Sequence, residues 1–208
     1  MFYSCAKLLK APQLLATELA YGCYAYMFSF CISMTNATEL PATTLTDYCY
    51  CYMFYNCSDL ISGPTILPAS VLTTKCYAFM FQGCTSLIKA PELRATTLLE
   101  GCYQNMFSDC TGLLQATELP ATELTKNCYN SMFKGCVNLV TGPSQLPAQT
   151  LTESCYYSMF EGCSKLVEVP ELSAITLADN CYQNMFKNCN SLTVINSLPA
   201  TTLAKHCY

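Results

Sequence analysis

The chain has 208 residues, of which 52% are hydrophobic and only 12% are charged. Soluble proteins usually carry about 25% charged residues, so this composition excludes a disordered chain and indicates a large apolar core. Ten Lys and Arg against fourteen Asp and Glu give a net charge of −4. No basic stripe is available to neutralise phosphates, and we therefore expect no nucleic-acid partner.

The residues that most enzymes need are scarce. His206 is the single histidine, which disfavours a His general base, a Cys–His nucleophile and a His-based metal site. The sequence contains no Gly-rich phosphate loop, no paired catalytic acids and no nucleophile elbow. We therefore predict a protein that is not an enzyme and that has no catalytic residues, no cofactor and no metal ion.

Internal repeats organise the whole sequence. A Met-Phe pair recurs every 26 or 27 residues, and a Cys stands three residues after each Phe. A Cys-Tyr pair stands four residues before each later Met-Phe pair. The eight repeats begin at Met1, Met27, Met53, Met80, Met106, Met132, Met159 and Met185.

A longer period of 79 residues lies over the short one, since the steps run 26, 26 and 27. The segment 37–41 returns at 116–120, and Gly63-Pro64 returns as Gly142-Pro143 in the two repeats with an extra residue. The simplest explanation is duplication of a three-repeat block. Such an array grows by copying when each unit contacts only its neighbours.

The first part of each repeat predicts a short strand. One column holds Pro or Thr in seven of the eight repeats and Asn196 in the last. Because Pro lacks an amide hydrogen, a continuous hydrogen-bonded sheet cannot pass through this column. We expect two to four paired residues per repeat.

The second part of each repeat predicts a helix of about ten residues. Four Thr residues precede an acidic residue at capping-box spacing, and Leu124, Cys128 and Met132 follow at helical spacing. Gly, Asn or Asp stands just before the second Cys in six of eight repeats, as expected where a left-handed residue ends a helix. The four pairs are Thr44 with Asp47, Thr97 with Glu100, Thr150 with Glu153, and Thr176 with Asp179.

These elements together predict an α/β solenoid. In it, eight strand-turn-helix repeats of 26–27 residues form one domain, residues 1–208, as a curved right-handed stack with a parallel sheet on its inner face. The chain starts and stops within a repeat, so we interpret it as a fragment of a longer array or as one with ends that stack on other chains. The uncharged stretch 19–38 follows the same repeat columns as the rest, and we expect no membrane span.

The motif from Cys84 to Phe107 resembles the BspA-like leucine-rich repeats of surface proteins from bacteria, protists and phages. The resemblance extends from Met1 to Tyr208. It implies a leucine-rich-repeat fold, an extracellular or cell-surface location, and a role in adhesion or binding. It implies no catalytic residues.

The seventeen cysteines favour buried free thiols in two columns over a disulfide framework. Within a repeat, Cys128 and Cys136 would lie about 12 Å apart on the predicted helix, beyond disulfide reach. Inter-repeat disulfides and a metal-binding column remain the alternatives. The first column holds Cys23, Cys49, Cys76, Cys102, Cys128, Cys155 and Cys181. The second holds Cys5, Cys31, Cys57, Cys84, Cys110, Cys136, Cys163 and Cys189.

Two columns are candidates for ligand contact. The tyrosine that follows the first Cys predicts packing with an outward hydroxyl, or alternatively a binding stripe for sugars or protein. On the predicted strand face, polar side chains form a solvated surface or a mildly acidic contact surface. These strand-face candidates are Lys10, Gln13, Glu39, Lys89, Glu92, Glu118, Glu168 and Glu171.

Two functions are compatible with these features. The first is a surface or secreted module that binds a protein or glycan partner through its strand face. The second is a structural spacer or filament segment that self-associates through uncapped ends, because an exposed apolar repeat invites stacking. Side chains on the strand face vary between repeats, from Leu9-Lys10 to Val167-Glu168, which favours binding.

Overall fold

The computed structural model describes residues 1–195 and 197–208; Asn196, the last member of the Pro/Thr column, lies outside them. Four two-residue strands are present: β1 (Ile66–Leu67), β2 (Glu92–Leu93), β3 (Gln145–Leu146) and β4 (Glu171–Leu172). β1 pairs with β2 and β3 with β4, both in parallel. Each residue pairs with its equivalent in the next repeat, as Ile66 does with Glu92.

Isolated parallel bridges continue this register outside the strands. One column runs from Lys10 through Asn36, Ser62, Lys89 and Gln115 to Thr141. A second links Thr150, Thr176 and Thr202. Pairing is therefore confined to single residues and two-residue strands, as the Pro column predicts. The repeats nevertheless stay in register along the chain.

The segment around each Cys-Tyr and Met-Phe pair is built from turns. In residues 101–110, every fourth residue has positive φ: Gly101 at 60°, Asn105 at 53° and Asp109 at 60°. The amides alternate: those of the five odd-numbered residues from Gly101 to Asp109 donate to carbonyls of the next repeat at 2.7–3.1 Å. The intervening amides, such as that of Gln104, donate to the carbonyl three residues earlier. Half of the backbone amides in this segment therefore link one repeat to the next.

The prediction of an α/β leucine-rich-repeat solenoid with strand-turn-helix units is wrong. The described residues contain no helix and only the four short strands. A turn that repeats every four residues places Leu124, Cys128 and Met132 on one side of the segment, as a helix would. The predicted capping pairs also act differently, because the Asp47 carboxylate accepts the Thr74 amide of the next repeat at 3.0 Å.

Apolar columns fill the interior between the turns and the bridged segment. The eight Phe rings of the Met-Phe pairs stack in parallel, with neighbouring ring centres 5.5–5.7 Å apart. Phe107, Met106, Leu113 and Cys110 are each 0% exposed, as are their equivalents in the central repeats. Burying a Phe or Met side chain contributes about 1.5–3 kcal/mol, so the core is the main source of stability. None of the described residues belongs to a helix that could cross a membrane.

Candidate functional site

The eight predicted strand-face residues lie on the bridged side of the repeats and are exposed. Lys10 and Lys89 belong to the bridged column that begins at Lys10, and Glu168, at the corresponding position of a later repeat, is bridged to Val194. Glu92 and Glu171 open β2 and β4, and Gln13, Glu39 and Glu118 occupy corresponding positions in other repeats. The structure therefore aligns these residues in two columns.

Two of the eight residues have a structural role. The Glu39 carboxylate accepts the Thr65 amide at 3.0 and 3.2 Å, and the Glu118 carboxylate accepts the Ser144 amide at 3.0 and 3.1 Å. Thr65 and Ser144 lie in the repeats with the extra residue. Each Glu thus accepts a backbone amide of the longer repeat that follows it. This explains why the segments 37–41 and 116–120, which contain Glu39 and Glu118, each precede a repeat with an extra residue. These carboxylates are engaged within the chain.

All seventeen cysteines are free thiols in the structure, and all except Cys5 and Cys23 are buried. In the second column, each thiol from Cys31 to Cys189 donates to the Phe carbonyl of the preceding repeat at 3.0–3.1 Å. That carbonyl also accepts an amide of its own repeat, as Phe107 does from Cys110. The thiol column thus adds a second set of links between repeats.

Burial makes these thiols unreactive. It raises the pKa of Cys49 and of Cys128 to about 12, and that of Cys84 well above its usual value. The thiolate is the reactive form of cysteine, so the interior columns are structural. No group of three or more His, Cys, Asp or Glu within 1–195 and 197–208 is placed to hold a metal ion.

The tyrosine column packs as predicted, but its hydroxyls are not outward in the central repeats. Tyr50, Tyr77, Tyr103, Tyr129 and Tyr156 are 0–1% exposed, and consecutive rings stack 5.6–5.9 Å apart. The hydroxyls of Tyr77, Tyr129 and Tyr156 are buried and make no hydrogen bond to the described residues. These hydroxyls do not point outward, and the central part of the column is not accessible as a binding stripe.

A different group of aromatic residues is accessible. The aromatic patch consists of six rings joined by ring contacts: Tyr3, Tyr26, Phe30, Tyr52, Tyr55 and Phe79. Tyr26 stacks on Tyr52 at 4.6 Å and Tyr52 on Phe79 at 4.4 Å, while Tyr55 meets Tyr52 and Phe30 edge-on. Tyr3 is 55% exposed and Tyr26 48%, with the other rings partly buried.

Four residues of the patch adopt a backbone conformation that aromatic residues normally avoid. Tyr26, Phe30, Tyr52 and Phe79 have φ of 57–60°. The column of Tyr26, Tyr52 and Phe79 continues as Asn105, Ser131, Ser158 and Asn184 in later repeats. A left-handed residue other than Gly, Asn or Asp costs about 1–2 kcal/mol. This patch was not predicted from the sequence, although the change from aromatic to polar residues along one column is a readable signal.

The same turn segments carry charges in the later repeats. Glu161 lies between Lys134 and Lys187, which approach its carboxylate to 2.9 and 3.0 Å. Desolvation raises the pKa of this carboxyl, but hydrogen bonds from Lys134 and Lys187 outweigh it and lower the pKa from 4.5 to about 2. The group therefore links three successive repeats when it is ionised.

We expect this carboxylate to make stability dependent on pH in the acid range. Because the folded-state pKa is lowered, its contribution is fully present above pH 4.5 and is lost as the pH falls towards 2. Urea unfolding should show Glu161→Gln less stable than the unsubstituted chain at pH 6, with the difference shrinking below pH 4.5. Exposed Glu123→Gln is the control. A Glu161→Gln difference that stays constant down to pH 2 would contradict this assignment.

Comparison with known proteins identifies no relative: the chain matches no protein-family model, no curated protein and no solved structure.

Proposed function

We propose that this chain is a non-enzymatic binding module of a surface or secreted protein, and that the aromatic patch contacts a glycan. The observation that carries the proposal is the placement of aromatic rings at four left-handed positions, with Tyr3 and Tyr26 about half exposed. Later repeats fill the Tyr26 column with Asn or Ser, so the fold itself does not require aromatic residues there. The resemblance of the Cys84–Phe107 motif to BspA-like surface repeats supports the location and an adhesive role.

The chemistry of the patch suits a neutral carbohydrate. Four of its six rings are tyrosines, which combine an apolar ring with a hydroxyl that can donate or accept. None of its six members is charged. An accessible aromatic group of this kind matches the C–H faces and hydroxyl groups of sugars better than a charged ligand.

The test replaces the three stacked rings of the patch by Asn, which occupies the same column in later repeats. Tyr26→Asn, Tyr52→Asn and Phe79→Asn copy Asn105 and Asn184, so the left-handed backbone is retained. We expect retention on at least one of immobilised mannan, xylan, chitin and mucin O-glycans, and at least tenfold weaker binding for the triple variant. Tyr21→Asn, an exposed tyrosine outside the patch, is the matched control and should bind normally.

Two results would overturn the glycan proposal. One is retention on none of the four supports. The other is equal loss of binding in the triple variant and in the Tyr21 control, which would point to a general surface effect. Circular dichroism of both variants shows whether the fold is intact.

A structural spacer or filament segment is the second candidate. Phe186 and Tyr208 are the last rings of the Phe and Tyr stacks among the described residues, and both line a cavity of about 260 Å³. Another repeat placed there would extend the Phe and Tyr stacks. Open-ended growth with concentration in light scattering would support this role, and a single species of defined size would contradict it.

A further inference from the structure

We propose that two copies of this chain associate side by side in antiparallel orientation through an exposed aliphatic stripe. The stripe consists of Ile61, Ile88, Leu114, Val140 and Val167, one residue from each of five consecutive repeats. Their exposed fractions are 48%, 51%, 52%, 40% and 41%. A continuous apolar row of this kind marks an interaction surface more than scattered exposed residues do.

The backbone of the stripe determines how a partner can bind. The amide of Leu114 donates to the Ile88 carbonyl at 3.4 Å, and the amide of Val140 donates to the Leu114 carbonyl at 3.0 Å. Val167 bonds to Val140 in the same way. Because these amides are already paired, an added β-strand has no backbone donors to use here. The partner must therefore contact side chains.

Charge identifies a second copy as the occupant. Each stripe residue is followed by an exposed residue of the bridged column, and two of these are charged: Lys89 beside Ile88 and Glu168 beside Val167. A two-fold axis between Leu114 and Val140 places Lys89 of each copy beside Glu168 of the other. In a parallel arrangement the two-fold axis would run along the stripe and place the two bridged columns on opposite sides of it, so Lys89 would gain no such partner.

The side-chain sizes fit the same axis. Ile88 then faces Val167 of the second copy and Leu114 faces its Val140, so these contacts pair a larger with a smaller aliphatic side chain, while Ile61 faces Thr193. The interface is isologous and closes at two copies. It is small, so the expected dissociation constant is on the order of 10 µM.

The experiment measures the mass of the full chain by sedimentation velocity across 1–200 µM. We expect a reversible change from 23.0 kDa to twice that mass with concentration. Leu114→Thr with Val140→Thr should weaken dimerisation at least tenfold. Thr occupies the same column at Thr35 and Thr193, so this change is compatible with the fold.

A charge swap tests the antiparallel register. Lys89→Glu and Glu168→Lys should each weaken the dimer at least threefold, and the double variant should restore it. Lys10→Glu lies in the same bridged column outside the overlap and should have no effect. A monomer at every concentration, failure of the double variant to restore association, or growth beyond two copies would overturn the proposal. The aromatic patch shares no residue with this stripe, so glycan binding and dimerisation can fail independently.

Discussion

Replacing Phe107 by Ala should lower the free energy of unfolding by about 3–5 kcal/mol, the usual cost of removing a fully buried aromatic side chain. Phe107 is 0% exposed and stacks on Phe81 and Phe133 at 5.6 Å on either side. Its removal opens a cavity at the centre of the Phe column and breaks two stacking contacts. Neighbouring repeats hold the flanking rings in place, so the cavity cannot close easily.

Urea unfolding followed by circular dichroism measures this effect. Leu99→Ala, an exposed aliphatic truncation at 44% exposure, is the control and should cost less than about 1 kcal/mol. A loss below 1 kcal/mol for Phe107→Ala would mean that the Phe column is not the continuous core described here.

The core could be predicted from the sequence because its signal is redundant. The Met-Phe pairs recur at nearly constant spacing, and a side chain repeated at that spacing stacks on its own copy in any parallel array. The short pairing was predictable for a similar reason, since Pro removes an amide donor at one position in five of the eight repeats. Both predictions rest on covalent chemistry and spacing rather than on local conformation.

The path of the turn segment could not be predicted by hydrophobic spacing alone. Over nine residues, a period of four and the helical period of 3.6 select the same apolar positions, Leu124, Cys128 and Met132. The distinguishing signal lies in the polar residues, because Asn180, Asn184 and Asn188 are also four apart and all have positive φ. A helix would tolerate Asn at its end, but two further Asn residues inside it would not stabilise it.

The roles of Glu39 and Glu118 were hidden for another reason. Each carboxylate accepts an amide 26 residues later, in the next repeat. Spacing indicated an exposed column, and exposure alone suggested ligand contact. The register of neighbouring repeats is needed to show that the amide of Thr65 lies beside the Glu39 carboxylate and that of Ser144 beside the Glu118 carboxylate.

Substitutions at two residues with positive φ should show whether the segment around each Cys-Tyr and Met-Phe pair consists of turns or of a helix, because the two structures predict opposite orders of stability for Ala and Gly. Asn105 and Asn184 have φ of 53° and 58° and lie three repeats apart. Changing both to Ala should cost about 2–4 kcal/mol, because each Ala is forced into a conformation that disfavours a Cβ by about 1–2 kcal/mol. Changing both to Gly should cost much less.

A helix would give the opposite order, since Ala is the best helix former and Gly one of the worst. Gln104→Ala with Gln183→Ala is the matched control, because these residues directly precede the two asparagines and have ordinary φ. Urea unfolding of the three double variants should rank the Asn-to-Ala pair as the least stable. If that pair were instead more stable than the Asn-to-Gly pair, the alternating turn and inter-repeat hydrogen bonds would be excluded. The aromatic residues at Tyr26, Tyr52 and Phe79 would then carry no backbone strain, which removes the main support for the glycan-binding patch.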